Sequence, residues 1–333
     1  MKVIIDTADD IQYKSFYVYA LRQHFGKQNV TFCDKPFNSI SDKSRNNKSM
    51  RFVIKDNSNH IKRYTIDCDD FTAINEELYE WSDVYGSINT NQSDLDCRNK
   101  LVQLCPSFAV RYTNRTEAAC QAIINLPYCH ANIKKYLGKW RRMTKRMPMD
   151  AYTPEHADDK YVFHCSTLWK SDEWNRNDET VNLARARFIR LMRKIKDTEL
   201  EGGLVSYRTD EGAQQFIDCM ARPYNSTEYI QKTRRSTFVF NTPAYWGCHG
   251  WKLGEYMALG KAILSTPLQN PLPAPLVHGT HIHFVENNEQ AIAEGIDYLL
   301  YHPDYRHELE CNISEYWERY GSPRSTLILL GIK

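Results

Sequence analysis

Several common protein classes are excluded by what this chain lacks. No stretch of its 333 residues approaches the roughly 20 consecutive apolar residues of a membrane span. The opening MKVIIDTADD has an apolar run of only Val3 to Ile5, with acids directly after it, too short for a signal h-region. The ten cysteines include no CxxC pair, which disfavours a zinc ribbon or a dithiol redox motif. No GxGxxG follows a predicted strand, which disfavours a nicotinamide dehydrogenase. A net charge of +2 does not suggest a bulk nucleic-acid binder and leaves electrostatic partners to local clusters. Glycine is scarce at 14 residues, unlike a fibrous or low-complexity chain. The expectation is a cytoplasmic protein with reduced, mostly buried thiols, in which the sequons at Asn114, Asn225 and Asn312 carry no meaning.

What is present fits a packed enzyme. Hydrophobic residues make up 42% and charged residues 25% of the chain, with 21 tyrosines. The length exceeds what one core usually holds, so two domains are expected. The polar, two-proline stretch MPMDAYTPEHADD (147–159) reads as their connection. The expected layout is a first domain over 1–150, a second over 151–310, and a C-terminal helix over 311–333 returning to the first.

Periodicity predicts strands at 2–5, 51–55, 61–66, 83–88 and 101–105, and helices at 11–25, 116–126 and 131–146. Asn38 to Lys48 reads as a loop. In the second half, strands at 161–166, 203–207, 238–241, 262–265 and 281–285 alternate with helices at 178–196, 211–219, 227–233, 251–259 and 288–301. Such alternation predicts an α/β protein with parallel sheet covered on both faces.

The informative stretch is NTPAYWGCHGWKLGEYMALGKAIL, Asn241 to Leu264. A short apolar strand ends at Pro243, and ligands of open parallel sheets bind beyond such carboxyl ends. Gly247 and Gly250 permit a tight bend through Cys248 and His249. A helix then starts near Trp251, whose first amides and dipole favour an anion. Lys252 adds a positive charge. Glu255 lies on the same helical face and can accept two hydrogen bonds from a ribose diol. Leu253 and Met257 face the core. The blander interpretation is a glycine-shaped turn with a solvated Lys252–Glu255 pair, but the strand before and the GKAIL strand after favour a nucleotide diphosphate footprint.

The run NTPAYWGCHGWKLGEYMALGKAILSTPLQNPLPAPLVHGTHIHFVE resembles the donor half of a GT-B fold glycosyltransferase, of the type that builds bacterial capsular and lipopolysaccharide glycans. The resemblance implies two Rossmann-like domains facing a cleft, an N-terminal acceptor-side domain and a C-terminal nucleotide-sugar domain. It implies a UDP- or GDP-sugar donor, a glycan or lipid-linked acceptor, and no bound metal or other cofactor. Glu255 matches the second glutamate of the retaining Glu-x7-Glu pattern, but the first position holds Gly247. The Lys-x-x-Glu spacing is closer to exostosin-like and fucosyltransferase-like sites.

Lys170 and Arg176, after the first donor-domain strand, are candidates to neutralise the leaving diphosphate. Gln269 and Asn270 are candidates to bind the donor sugar. Asp6 and His130 are candidate bases, and Asp9 and Asp10 read as a helix cap. Arg185 and Arg187 read as surface or ion-pair residues, and Arg234 and Arg235 as structural. His278, His281 and His283 tempt a metal reading, but no cysteine or carboxylate neighbour completes the set. Residues 133–147, IKKYLGKWRRMTKRM, carry seven cations and no acid, with apolar residues at helical spacing. They fit either a core-packed helix with a solvated basic face or a peripheral contact with an anionic membrane. A nucleotide-sugar epimerase of the same fold and a non-catalytic glycan-assembly scaffold are the alternatives.

Overall fold

The computed structural model describes residues 1–8, 11–45, 48–128, 132–157, 160–169, 176–206 and 211–333, without the side chains of 176–179, 211, 212 and 245. The chain divides into two units: Met1–Asp150 with Pro271–Pro273 and Tyr320–Lys333, and Ala151–Asn270 with Ala274–Arg319.

The first unit contains β1 (Lys2–Ile5), α1 (Ile11–Phe25), β2 (Val30–Phe32), α2 (Asp42–Arg45), β3 (Met50–Lys55), β4 (Ile61–Asp67), α3 (Glu76–Trp81), β5 (Val84–Ser87), α4 (Gln92–Cys97), β6 (Leu101–Gln103), α5 (Arg115–Ile124) and α6 (Ile133–Met143). The strands form one six-stranded sheet in the order β2-β1-β3-β4-β5-β6. It is mixed rather than wholly parallel. β3 runs antiparallel to both β1 and β4, while the other pairs are parallel. The cause is the short link between β3 and β4, too short for a crossover helix. Asp56 closes it by accepting from the backbone amides of Ser58 and His60 at 2.9 Å each, with Asn59 at φ 65°. One core cluster joins Phe37, Val53, Leu78 and Tyr85, and another joins Ile11, Ala118, Ala122, Trp140 and Met143.

The second unit contains β7 (Tyr161–Thr167), α7 (Arg176–Met192), β8 (Glu199–Val205), α8 (Ser226–Arg235), β9 (Val239–Asn241), α9 (Trp251–Ala258), β10 (Ile263–Ser265), β11 (His283–Phe284), α10 (Glu289–Tyr301) and α11 (Pro303–Tyr316). Residues Glu211–Cys219, expected to be α-helical, form a 3-10 stretch. β7 pairs in parallel with β8, and β9-β10-β11 form a second parallel ladder. Ser236 and Thr237 join the two ladders: Ser236 Oγ accepts from the Phe163 amide at 2.9 Å, and the Thr237 amide donates to Tyr161 O at 2.7 Å. The strand order across the unit is therefore β8-β7-β9-β10-β11. It reverses between β7 and β9, so the loops after these two strands diverge and leave a crevice at their carboxyl ends.

The C-terminal helix is split. α11 widens over Trp317–Gly321, and α12 (Pro323–Leu329) belongs to the first unit, where it packs on α1. Asparagine opens many of these helices, its side-chain oxygen satisfying otherwise orphaned amides. Two of the sequon residues have this role: Asn114 caps α5, and Asn225 caps α8 in a capping box with Glu228. The α/β class expected from the sequence is the one observed.

Candidate functional site

The carboxyl ends of β7, β9 and β10 meet the starts of α7 and α9 in the second unit. α9 begins at Trp251 with Gly250 as N-cap, and Leu253 and Met257 are buried beneath it. In the preceding loop Trp246 and Gly247 adopt positive φ of 57° and 74°. A Cβ on Gly247, strained at this φ, would stand 1.8 Å from Gln269 Oε1 and push that side chain aside. The Gly247 amide already donates to Ala244 O at 3.1 Å. Cys248 and His249 are buried, so their side chains belong to the packing of the loop.

Lys252 does not extend into water. Half-buried, it reaches across the strand-order reversal and donates to Ser166 Oγ at 2.7 Å and to Cys165 O, both near the end of β7. Arg185 makes the complementary crossing. Rooted on α7, it donates to Thr242 Oγ1 just past β9 at 3.0 Å and to Thr167 O at 2.8 Å. The surface or ion-pair role expected for Arg185 is thus corrected, since the residue is buried and belongs to the site. Burial, with the charge of Arg185 next, pulls the Lys252 ammonium down to about 7. Lys252 is therefore only partly protonated at neutral pH, not the full charge its sequence position suggested.

His164 completes this buried set. Its Nε2 lies 2.9 Å from Ser166 Oγ, while its Nδ1 has no hydrogen-bond partner. The ring packs against Phe188 and Phe240, which stack on each other. Burial, then Lys252 and Arg185, hold the imidazole well below its ordinary value, so it is neutral. Lys252, Ser166 and His164 thus form a continuous chain of polar contacts. Sequence reasoning missed His164 and Ser166, which sit in an apolar strand with no motif around them.

Glu255, one turn along α9 from Lys252, is 7% exposed. Its charge adds to burial in raising the phenols of Tyr229 and Tyr256. Glu255 is therefore nearly buried, not half of a solvated pair with Lys252.

Beside these residues lies a cavity of about 210 Å³ lined by Val181, Ala184, Thr242, Pro243, Gly247 and Gln269, among others. Thr242 both lines it and accepts from Arg185, linking the cavity to that buried cation. Gln269 is exposed at its rim, and Asn270 follows it.

The other sequence candidates separate from this site. Asp6 is corrected to a structural residue: it is 0% exposed in the first unit, and its carboxylate is bound by Arg45 at 2.7 Å and Arg51 at 3.0 Å. Burial alone would raise this carboxyl, but the Arg45 hydrogen bonds and the Arg51 charge draw it down overall. Lys170, Asp9, Asp10, His130 and the side chain of Arg176 lie outside the described residues. Arg187 donates to Asn287 Oδ1 at 2.8 Å, Arg234 pairs with Glu155, and Arg235 stacks on Tyr161. The Nδ1 atoms of His278, His281 and His283 are engaged by the Phe284 amide, the Val277 amide and the Tyr305 hydroxyl respectively. No helix among the described residues is long and apolar enough to cross a membrane.

No protein-family model and no curated protein sequence matches the chain. Among solved structures it is similar to the C-terminal domain of LpcC, a glycosyl transferase group 1 family protein from Francisella tularensis, at 15% identity over 52% of this chain and 97% of that one, TM-score 0.36. It is similar to TarM of S. aureus at 13% identity over 95% of this chain and 57% of that one, TM-score 0.48. It is also similar to the UDP-GlcNAc 2-epimerase of Neisseria meningitidis, solved with UDP-GlcNAc, at 16% identity over 77% and 62%, TM-score 0.42. The chain spans 57% of the length of TarM and 62% of that of the epimerase. The identity to each of these structures is 16% or lower.

Proposed function

We propose that this chain is a glycosyltransferase that moves a sugar from a UDP- or GDP-sugar to a glycan or lipid-linked acceptor. The observation that carries this reading is the crossing of Lys252 and Arg185 between the ends of β7 and β9. Two cations drawn out of water at a strand-order reversal, beside the start of a helix, form a place for a diphosphate. In this reading Lys252 and the first turn of α9 hold the diphosphate, and Arg185 adds its field. Charge stabilisation of the departing diphosphate is then the main catalytic contribution. Glu255 takes the ribose diol, which requires it to turn from its present packing. The cavity of about 210 Å³ is smaller than the roughly 300–1,000 Å³ of a whole-ligand pocket, so it suits one part of the donor, the sugar beside Gln269. The basic face of α6 is proposed as the contact with an anionic lipid surface when the acceptor is lipid-linked.

A thermal-shift screen against UDP, GDP, CDP and their sugars tests the reading, because a ligand that binds the native state raises its melting temperature. Stabilisation by one nucleoside diphosphate family, lost in Lys252→Met, is expected. Equal indifference to all of them would overturn it. Incubation with the donor alone separates a transferase from an epimerase, since only the epimerase interconverts sugars without an acceptor.

A further inference from the structure

Away from the strand ends, a second cluster joins two parts of the second unit that are distant in sequence. His156 lies in the segment leading to β7, while His307 and Glu310 are three residues apart on α11. Glu310 is 5% exposed. Its Oε2 is 2.6 Å from His156 Nδ1 and 3.8 Å from His307 Nδ1. The ligand atoms of all three residues fall within 4.8 Å of one another, the one such His, Cys or acid grouping among the described residues. The imidazole rings stand edge to face, 5.2 Å apart.

We propose that His156, His307 and Glu310 form a binding site for a divalent transition metal of the zinc class. Two imidazoles and one carboxylate are a donor set that zinc accepts, with a fourth position left to water. Bonds of about 2.0–2.2 Å in a tetrahedron place ligand atoms about 3.3 Å apart. The present separations bracket that spacing, and both histidine side chains are exposed enough to rotate by the small amount required. Glu310 gives a second, independent indication. Its Oε1 is buried with no hydrogen bond, and Lys261 Nζ, which donates to the carbonyls of Glu155 and Arg234, is 3.9 Å away. With Oε1 unbonded, the polar contacts of this nearly buried carboxylate fall on Oε2, which faces the two imidazoles. His307 Nε2 is 3.7 Å from Cys311 Sγ, an outer partner that orients the ring with Nδ1 toward Glu310. A bound ion would clip the segment ahead of β7 to α11, closing a loop of 154 residues. This inference is independent of the nucleotide site.

The full-length protein, stripped with a chelator, would be titrated with Zn²⁺ against a chromophoric competitor, with melting temperature recorded in parallel. One tight equivalent and a rise in melting temperature are expected. His156→Ala and His307→Ala should each weaken that equivalent at least tenfold and abolish the temperature rise, while His278→Ala leaves both unchanged. Co²⁺ in place of Zn²⁺ should show no thiolate charge-transfer band, which sets these ligands apart from the cysteines. Absence of a tight equivalent would overturn the proposal, as would one that persists in His156→Ala or vanishes in His278→Ala.

Discussion

Lys252 Nζ donates to Ser166 Oγ over 2.7 Å, tying the helix that follows β9 to the end of β7. The bond spans the point where strand order reverses, and it holds a half-buried lysine beside a buried arginine. The ammonium is drawn down to about 7 by burial and by Arg185. Unfolded, the same lysine titrates at about 10.4. Between those values the unfolded chain binds a proton that the folded chain does not, so this residue makes stability rise with pH across that window. A diphosphate should restore the proton. Calorimetry at pH 8 in buffers of different ionisation enthalpy is expected to show uptake of up to one proton on binding UDP or GDP. Affinity should fall by up to about tenfold per pH unit above 7. Lys252→Arg, always charged, should bind without proton uptake. Uptake unchanged in that variant would assign the proton elsewhere.

Arg185→Met removes bonds to Thr242 Oγ1 and Thr167 O. Hydrogen bonds to charged groups contribute about 1.5–3 kcal/mol, so the melting temperature should fall by several degrees. A merely structural arginine would do no more than that. If it also repels Lys252, the midpoint of ligand-linked proton uptake should move up in pH, read from the same calorimetry.

Glu255→Gln keeps the size of the side chain and removes its charge. If both carboxylate oxygens take a ribose diol, nucleotide affinity should weaken by about 1.5–3 kcal/mol, or about tenfold to over a hundredfold. Because Glu255 is nearly buried beside Tyr229 and Tyr256, some change in melting temperature is expected as well. The 2′-deoxynucleotide separates the two effects. It should bind the wild type more weakly than the ribonucleotide and lose less on substitution. Equal losses for both nucleotides would make Glu255 a packing residue.

Asp6→Asn leaves Arg45 and Arg51 without their carboxylate inside the first unit. Breaking a buried pair from one side costs about 3–5 kcal/mol, which urea denaturation would detect. The wild-type carboxyl is depressed, so its contribution is present above about pH 3.9 and lost as pH falls through the folded value. Acid unfolding of Asp6→Asn should therefore be less steep than that of the wild type.

Helix α6 has a buried face and an exposed one. Trp140 and Met143 are buried against Ile11, Ala118 and Ala122, whereas Ile133 and Leu137 are 56% and 42% exposed. Trp140→Ala should cost about 3–5 kcal/mol of stability. Reversing the charges of Lys134, Lys135, Arg141 and Arg142 should instead remove salt-sensitive co-sedimentation with anionic vesicles and leave stability nearly unchanged. Vesicle binding that survives the reversal would sink the lipid contact.

The long periodic elements were legible in the sequence. α1 begins and ends where its apolar spacing places it, and α9 starts at Trp251 directly after its Gly250 N-cap. The α/β class follows from the alternation of strands and helices, and the proline-bearing stretch 147–159 spans the point where the second unit begins at Ala151. Short elements such as β2, α3 and α4 were not legible, since three to six residues hold too little pattern to distinguish a period.

The sequence alone determined that Gly247, Lys252 and Glu255 share one loop and one helix face, because helical spacing is local. Only the tertiary structure decided what they meet. Arg185 and Lys252 are 67 positions apart, and nothing in either neighbourhood marks them as partners. They come together because the sheet reverses its order between β7 and β9, bringing the helices that follow both strands over the same crevice. The same long-range placement removed Asp6 from candidacy, since its arginine partners arrive from α2 and β3. Local periodicity records which face of an element is buried, whereas the charge and burial around each side chain are set by what packs across from it.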